Sequence, residues 1–200
     1  MPSLSGTEIA ELCAHSETAD ILRNCLKSDY ATENVEFVAL VNLLHGVLCS
    51  VPNDILTVGW IKLQPATGLN ICKLIHDDYI SDNGNNTVNV SFKTRKKISA
   101  AYAGGNYATY VELLFGKGFD EITKVLAQNF GYELPKKQPY KKGKSAINKV
   151  LQSNSYLVDK MDSKTPDIKV ITGMVSTFSS YSYKRPMVAG PTRSRSNGVY

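Results

Sequence analysis

The side chains that could carry out chemistry are few and widely separated in this 200-residue chain. The histidines, His15, His45 and His76, stand alone, whereas a hydrolase triad needs a histidine beside a nucleophile and an acid. Asp77 and Asp78 form a carboxylate pair, but adjacent residues on a helix point in different directions, which does not suit a shared metal ion. The histidines are therefore interpreted as structural, and no catalytic residue or metal ligand is assigned.

The cysteines and glycines do not indicate a metal, disulfide or nucleotide site. Cys13, Cys25, Cys49 and Cys72 lie far apart, without a Cys-x-x-Cys pair and without histidines at ligand spacing. Their apolar surroundings are typical of buried free thiols. The chain also lacks the Gly-x-x-x-x-Gly-Lys-Ser/Thr phosphate loop and a dinucleotide-binding glycine pattern. No cofactor is expected.

Positive charge is concentrated in two stretches without acidic residues. The formal net charge is +5, from 23 basic and 18 acidic side chains. Residues 136–149 contain six lysines, and residues 184–200 are also basic. These stretches are either a solvated linker and tail or a surface for phospholipid, nucleic acid or an acidic protein face. The candidate basic surface consists of Lys136, Lys137, Lys141, Lys142 and Lys144.

The elements that must position these side chains are helices. Apolar residues recur at helical spacing in five stretches, which are residues 6–27, 32–48, 69–80, 119–130 and 145–161. Thr32 is the expected N-cap of the second stretch, and residues 87–92 are interpreted as an extended loop. No apolar run is long enough to span a membrane, and the N-terminus lacks the basic start of a secretory signal. The pattern predicts a soluble, all-α protein.

Three stretches resemble the regulator of G-protein signalling (RGS) domain family. Residues 26–37, LKSDYATENVEF, are similar to the family's F-L-x-S-E-[FY]-S-E-E-N-[IL]-x-F segment. Residues 75–95, IHDDYISDNGNNTVNVSFKTR, look like its I-Y-x-x-[FY]-[IV] segment followed by [IV]-N-[IL]-D and T-R. Residues 146–157, AINKVLQSNSYL, are similar to its D-S-[FY]-x-R-F-L-x-S helix. The three pieces occur in the family's order.

The resemblance implies an RGS-like two-lobed helical bundle with loop insertions over residues 1–162. The Ser-, Tyr- and Pro-rich composition and weak periodicity of residues 163–200 predict a disordered tail. It implies that the chain binds a heterotrimeric G-protein α subunit and stabilises its switch regions in the transition state of GTP hydrolysis. The chain would then be a GTPase activator and not itself an enzyme. A cytoplasmic location is implied, with weak contact to anionic lipid at the plasma membrane.

The resemblance also implies which residues contact the α subunit. Glu33, Asn34 and Asn89 are expected to press on the switch regions, with both amides exposed on one surface formed by two loops between helices. An amide suits this task because it donates and accepts hydrogen bonds without the desolvation cost of a charge. The remaining expected partner-binding residues are Arg95, Lys149 and Leu151.

The chain departs from the family pattern at several positions. Val38 replaces a tryptophan, Ser145 and Ala146 replace an Asp-Ser pair, and Lys149 replaces an arginine. The loss of a carboxylate and of the rigid guanidinium predicts reduced activity. Two alternatives stay open: an inactive RGS-like scaffold module, and a nucleocapsid-like protein that binds nucleic acid through its lysine cluster and through Arg193 and Arg195.

Overall fold

The computed structural model describes residues 3–51, 54–61, 63, 66–153 and 164–171, and this part of the chain forms helices and no strand. The α-helices are α1 Gly6–Leu12, α2 Ser16–Leu26, α3 Thr32–Leu48, α4 Gly68–Leu74, α5 Phe92–Ala103, α6 Tyr107–Leu113, α7 Phe119–Phe130, α8 Gln138–Lys142 and α9 Lys144–Gln152. Two π-helical turns, Ile75–Ile80 and Leu114–Gly118, continue α4 and α6. Short 3₁₀ turns occupy Lys27–Asp29, Ile55–Thr57, Leu134–Lys136 and Ile168–Val170. The predicted all-α class is confirmed.

Helix α3 is the centre of the core. Thirteen of its seventeen residues are buried, including Phe37, Leu40 and Leu44. A helix that is apolar on almost every side must be enclosed by other elements. Helix α3 packs against α2, α4 and α7 and against both π-helical turns.

The remaining helices pack in two sets around this centre. Helices α1, α2, α8 and α9 contact one another, and α5 and α6 pack together against the π-helical turns. Helix α7 contacts both α1 and α3. The residues that resemble the RGS family in the first two pieces therefore lie on α3 and on the elements that adjoin α5.

Side-chain caps explain where several helices begin. Ser5 and Glu8 form a reciprocal capping box at α1, and Ser91 accepts a hydrogen bond from the Thr94 backbone at α5. The expectation for α3 is wrong, because Thr32 is the first helical residue and the preceding Ala31 has no side chain that could cap the helix.

The interpretation of residues 136–143 as a linker is also wrong. Helix α8 lies in this stretch, and its Tyr140 is buried together with Leu134 and Pro135 just before it. Gly143 then passes so close to Ile21 that a Cβ at this position would lie 2.3 Å from the Ile21 Cδ1. The lysines of this stretch therefore lie on a folded surface.

Part of the expected tail belongs to the folded domain. The Asp167 backbone N–H donates to the Leu48 carbonyl at 2.8 Å, and the Lys164 Nζ donates to the Cys49 carbonyl at 3.3 Å. Ile171 is fully buried and packs against Gly68 at the start of α4. Residues 154–163 and 172–200, which hold the end of the expected last helix and most of the expected tail, lie outside the described residues.

Candidate partner-binding site

The start of α3 adjoins residues 81–91, named here the 81–91 loop. The Tyr79 hydroxyl donates to the Glu36 Oε2 at 3.0 Å, and the Tyr79 carbonyl accepts a bond from the Val88 N–H at 3.0 Å. The rings of Phe37 and Tyr79 also lie 6.4 Å apart. One tyrosine thus joins α3 to the 81–91 loop, and the first two pieces of the resemblance come together in space.

Arg95 fastens the first part of the 81–91 loop. Its guanidinium donates to the Ile80 carbonyl at 2.7 Å and to the Val88 carbonyl at 2.6 Å. The fixed fork of an arginine side chain suits two acceptors of defined geometry. The expectation that Arg95 contacts a partner is therefore corrected. The side chain is largely buried, and its guanidinium donates to backbone carbonyls within the chain.

A glycine makes the tight path of this loop feasible. A Cβ on Gly84 would lie 2.4 Å from the Asp78 carbonyl oxygen, which is closer than any real Cβ contact. The Thr87 hydroxyl is hydrogen-bonded to the Ser81 and Gly84 carbonyls, at 3.1 and 3.0 Å. These contacts give the loop one defined conformation.

Glu121 of α7 holds the other end of the loop. It accepts bonds from the Ser91 N–H and the Thr94 hydroxyl, both at 2.6 Å. Burial raises the pKa of Glu121, but the hydrogen bonds from Thr94 and Ser91 outweigh this effect and hold its pKa below the usual value. Sequence reasoning missed this residue because the contact spans 30 positions and has no local signal.

Asn89 is the exposed amide that the loop presents. Its neighbours Val88 and Val90 are buried, and the Val90 N–H donates to the Val88 carbonyl at 3.0 Å, so Asn89 lies at the centre of a tight turn with its side chain exposed. Residues 87–91 lie in no helix or strand, in agreement with the predicted loop over residues 87–92, except that Phe92 is the first residue of α5. Because the backbone on both sides of Asn89 is held in place, this segment loses less conformational entropy when a partner binds the exposed amide.

Asn34 is buried, and its expected exposure is wrong. Only 5% of the residue is exposed, because it lies in the first turn of α3 and not in a loop. Its Nδ2 donates to the Glu33 Oε1 at 2.8 Å, while its Oδ1 has no hydrogen-bond partner among the described atoms. Asn34 therefore orients Glu33 and does not itself reach the surface.

Glu33 is half-buried at the uncapped N-terminus of α3. Burial raises the pKa of Glu33, and repulsion from the nearby Glu36 carboxylate adds to this effect. Backbone hydrogen bonding and the bond from Asn34 act in the opposite direction without cancelling it. The carboxylate of Glu33 therefore ionises less readily than that of a free glutamate.

A buried ion pair supports the site from below. The Arg23 guanidinium of α2 donates to Glu36, which also accepts the bond from Tyr79. The same guanidinium lies 5.6 Å from the centre of the Trp60 ring. Removing one partner of such a pair leaves an uncompensated buried charge, so the network fixes α2, α3 and Tyr79 together.

The third piece of the resemblance lies on α9. Lys149 is exposed there, and Leu151 is half-buried against the core. Helix α9 packs on α1, α2 and α8. The third piece therefore belongs to a different part of the fold from the first two pieces, which pack on each other.

Two of the five lysines in the candidate basic surface are already engaged. The Lys136 Nζ lies 2.8 Å from the Glu133 Oε1 and 3.4 Å from the centre of the Tyr132 ring, and Lys137 pairs with Asp29. The other three are exposed, and no ion pair joins them to an acidic residue in the described part of the chain; they are Lys141, Lys142 and Lys144.

The histidines and cysteines are packing residues. The rings of His76 and Tyr102 stack at 4.0 Å, and those of His45 and Phe115 stack at 4.4 Å. All four cysteines are buried and free, and burial raises the pKa of Cys72 to about 12, which suppresses thiolate formation. Within the described residues, no three acidic, histidine or cysteine side chains are grouped so that they could hold a metal ion.

Comparison with known proteins does not identify a function for this chain. No family model, curated protein or solved structure matches the chain. The helices that the structure describes include none with the length and apolar character needed to cross a lipid bilayer.

Proposed function

We propose that this chain is a divergent RGS-like protein that binds a heterotrimeric G-protein α subunit and accelerates its GTP hydrolysis. The observation that carries the proposal is the joining of the α3 start and the 81–91 loop through Tyr79, Glu36 and Arg95. These are the two segments that resemble the family most closely, and together they present Glu33 and Asn89.

The mechanism requires positioning and no reacting group from this chain. An α subunit hydrolyses GTP slowly while its switch loops and the residue that orients the attacking water are mobile. A rigid surface that fits those loops in their transition-state arrangement lowers the barrier. Asn89 can donate and accept hydrogen bonds at once, and Glu33 offers an acceptor whose direction is fixed by Asn34.

The packing of the helices is compatible with the two-lobed arrangement that the proposal includes. Helices α1, α2, α8 and α9 would form one lobe, and α3 to α6 with the π-helical turns would form the other. Lys149 and the α9 helix would approach the α subunit from the first lobe. Because Ser145 and Ala146 supply no carboxylate there, acceleration is expected to be weaker than that of a typical family member.

Single-turnover GTP hydrolysis by a panel of α subunits tests the proposal. The full chain should raise the hydrolysis rate of at least one α subunit, and Asn89→Ala should remove most of that increase. The matched control is Asn129→Ala, which removes an exposed amide from α7 and should leave the rate unchanged.

An equilibrium binding measurement beside the hydrolysis assay separates the active protein from an inactive RGS-like scaffold. Binding to an α subunit without any acceleration would support an inactive RGS-like scaffold and contradict the proposed activity. The absence of both binding and acceleration across all α subunit classes would contradict the proposal as a whole.

A further inference from the structure

One face of α5 carries lysines and an exposed aromatic ring. Phe92, Lys93, Lys96, Lys97 and Ala100, named here the α5 face, are all exposed, and 75% of Phe92 is accessible to solvent. They line an open depression of about 490 Å³. All five belong to a single helix, so this is an open surface and not an enclosed pocket for a small molecule. The opposite side of α5 is buried through Thr94, Ile98 and Ala101.

The stability of the fold does not account for this composition. Lys93 lies in the first turn of α5, where a positive charge opposes the helix dipole; the Glu121 carboxylate of α7 accepts hydrogen bonds from Ser91 and Thr94 at this helix end, but in the described part of the chain it forms no ion pair with Lys93. None of the described side chains forms an ion pair or a hydrogen bond with Lys93, Lys96 or Lys97. Phe92 is likewise exposed at a position where a polar residue would cost nothing. Choices that oppose local stability are expected at functional surfaces.

We infer that the α5 face docks on membranes that contain anionic phospholipid. Lysines at the surface of an acidic leaflet are attracted to its headgroups, and an aromatic ring beside them enters the interfacial layer. Attraction of the lysines and insertion of the ring together give stable attachment, whereas either contribution alone gives only marginal binding. The face has this composition, with three lysines around one ring and no acidic side chain.

A bilayer suits this surface better than a nucleic acid. Single-stranded nucleic acid is bound in grooves where several aromatic side chains stack on successive bases. The α5 face has one aromatic ring, at its N-terminal end, and its depression is open. A broad planar partner can contact the three lysines and the ring together.

This surface is separate from the lysines first identified in the sequence. Helix α5 packs on α6 and the π-helical turns, whereas α8 and its lysines pack on α2 and α9. Docking does not depend on the proposed contact with an α subunit. It would nevertheless bring Asn89, which lies three residues before Phe92, close to the membrane surface.

Vesicle co-sedimentation of the full chain tests the inference. The vesicles are phosphatidylcholine alone or with about 30% phosphatidylserine, each at low salt and at about 0.15 M salt. One variant combines Lys93→Glu, Lys96→Glu and Lys97→Glu, and a second carries only Phe92→Ala. The matched control combines Lys141→Glu, Lys142→Glu and Lys144→Glu, which makes the same change in net charge on another surface. Circular dichroism establishes that each variant is folded.

The expected result is binding that requires phosphatidylserine and weakens as salt rises. The α5 lysine variant should bind these vesicles at least about 100-fold more weakly, because each lysine contributes roughly a factor of five near an acidic surface. Phe92→Ala should reduce binding several-fold without a change in charge. The α8 control should retain most of the binding.

Three results would overturn the inference. The first is equal binding to the two vesicle compositions, and the second is a loss of binding in the α8 control that equals or exceeds the loss in the α5 variant. The third is tighter binding of the full chain to a single-stranded RNA than to phosphatidylserine vesicles, with the α5 lysines required only for RNA. None of these results bears on GTP hydrolysis, so the two proposals fail independently.

Discussion

At the residue scale, the site depends on pairs in which one side chain orients another. Asn34 was expected to contact a partner, yet it is buried and directs Glu33. Arg95 was expected at the interface, yet its guanidinium holds the Ile80 and Val88 carbonyls. The resemblance identified Asn89 and Glu33 as candidates, but it could not distinguish a residue that contacts a partner from one that positions its neighbour, because that distinction depends on burial and on long-range hydrogen bonds.

Glu33 provides a prediction about stability and pH. Its pKa is raised in the folded protein, so ionisation costs stability as the pH rises past the usual value for a glutamate, and the cost is fully present above the raised pKa. Glu33→Gln should therefore raise the melting temperature at pH 7 but not near pH 3, where both states are protonated. It should also weaken binding to the α subunit.

Thermal unfolding of the wild type and of Glu33→Gln at the two pH values provides the measurement. Glu17→Gln, at an exposed glutamate in the first turn of α2, is the control for loss of one negative charge. A Glu33→Gln variant that melts at a lower temperature than the wild type at pH 7 would contradict this account of Glu33.

At the element scale, the helices could be predicted better than the segments between them. The long apolar periodicity of α3 and α7 identified both helices from sequence. Helix α8 was read as a linker because five residues with two lysines and a proline carry little periodicity, and its burial depends on one tyrosine. The rigidity of the 81–91 loop likewise could not be predicted, since its anchors lie on α5 and α7.

Gly84 tests whether the 81–91 loop must keep its conformation. In Gly84→Ala the new Cβ would collide with the backbone carbonyl of Asp78, and a backbone atom cannot move aside at low cost. We expect a loss of about 2 kcal/mol in the free energy of unfolding and weaker binding to the α subunit.

Urea unfolding measures the first effect, and binding to the α subunit measures the second. Gly116→Ala is the matched control, because a Cβ there would meet no atom within 4 Å. Equal stability of the Gly84→Ala and Gly116→Ala variants would show that the tight path of the loop is not required.

At the scale of the whole molecule, the all-α class followed from the sequence, whereas the extent of the domain did not. The stretch of residues 164–171, KTPDIKVI, lacks a strong pattern, yet it packs on α3 and α4. Its contribution comes from a few contacts with residues more than 100 positions away, which a local reading of the sequence does not reveal.

Ile171 tests whether this stretch stabilises the domain. It is fully buried beside Gly68, so Ile171→Ala should lower the free energy of unfolding by about 2 kcal/mol through lost burial and the cavity that remains. Urea unfolding provides the measurement, with Thr165→Ala at an exposed position of the same stretch as the comparison. If Ile171→Ala is as stable as the wild type, residues 164–171 do not contribute to the stability of the domain, which would contradict this account.

The central claim is that the surface of Glu33 and Asn89 fits an α subunit in the transition state of GTP hydrolysis. The most direct measurement is the equilibrium affinity of the full chain for one α subunit loaded with GDP, with a GTP analogue, or with GDP and aluminium fluoride, which mimics the transferring phosphoryl group. The account predicts tightest binding to the aluminium fluoride form, and a loss of that preference in Asn89→Ala. Equal affinity for the three forms, or no binding to any of them across the α subunit classes, would contradict it.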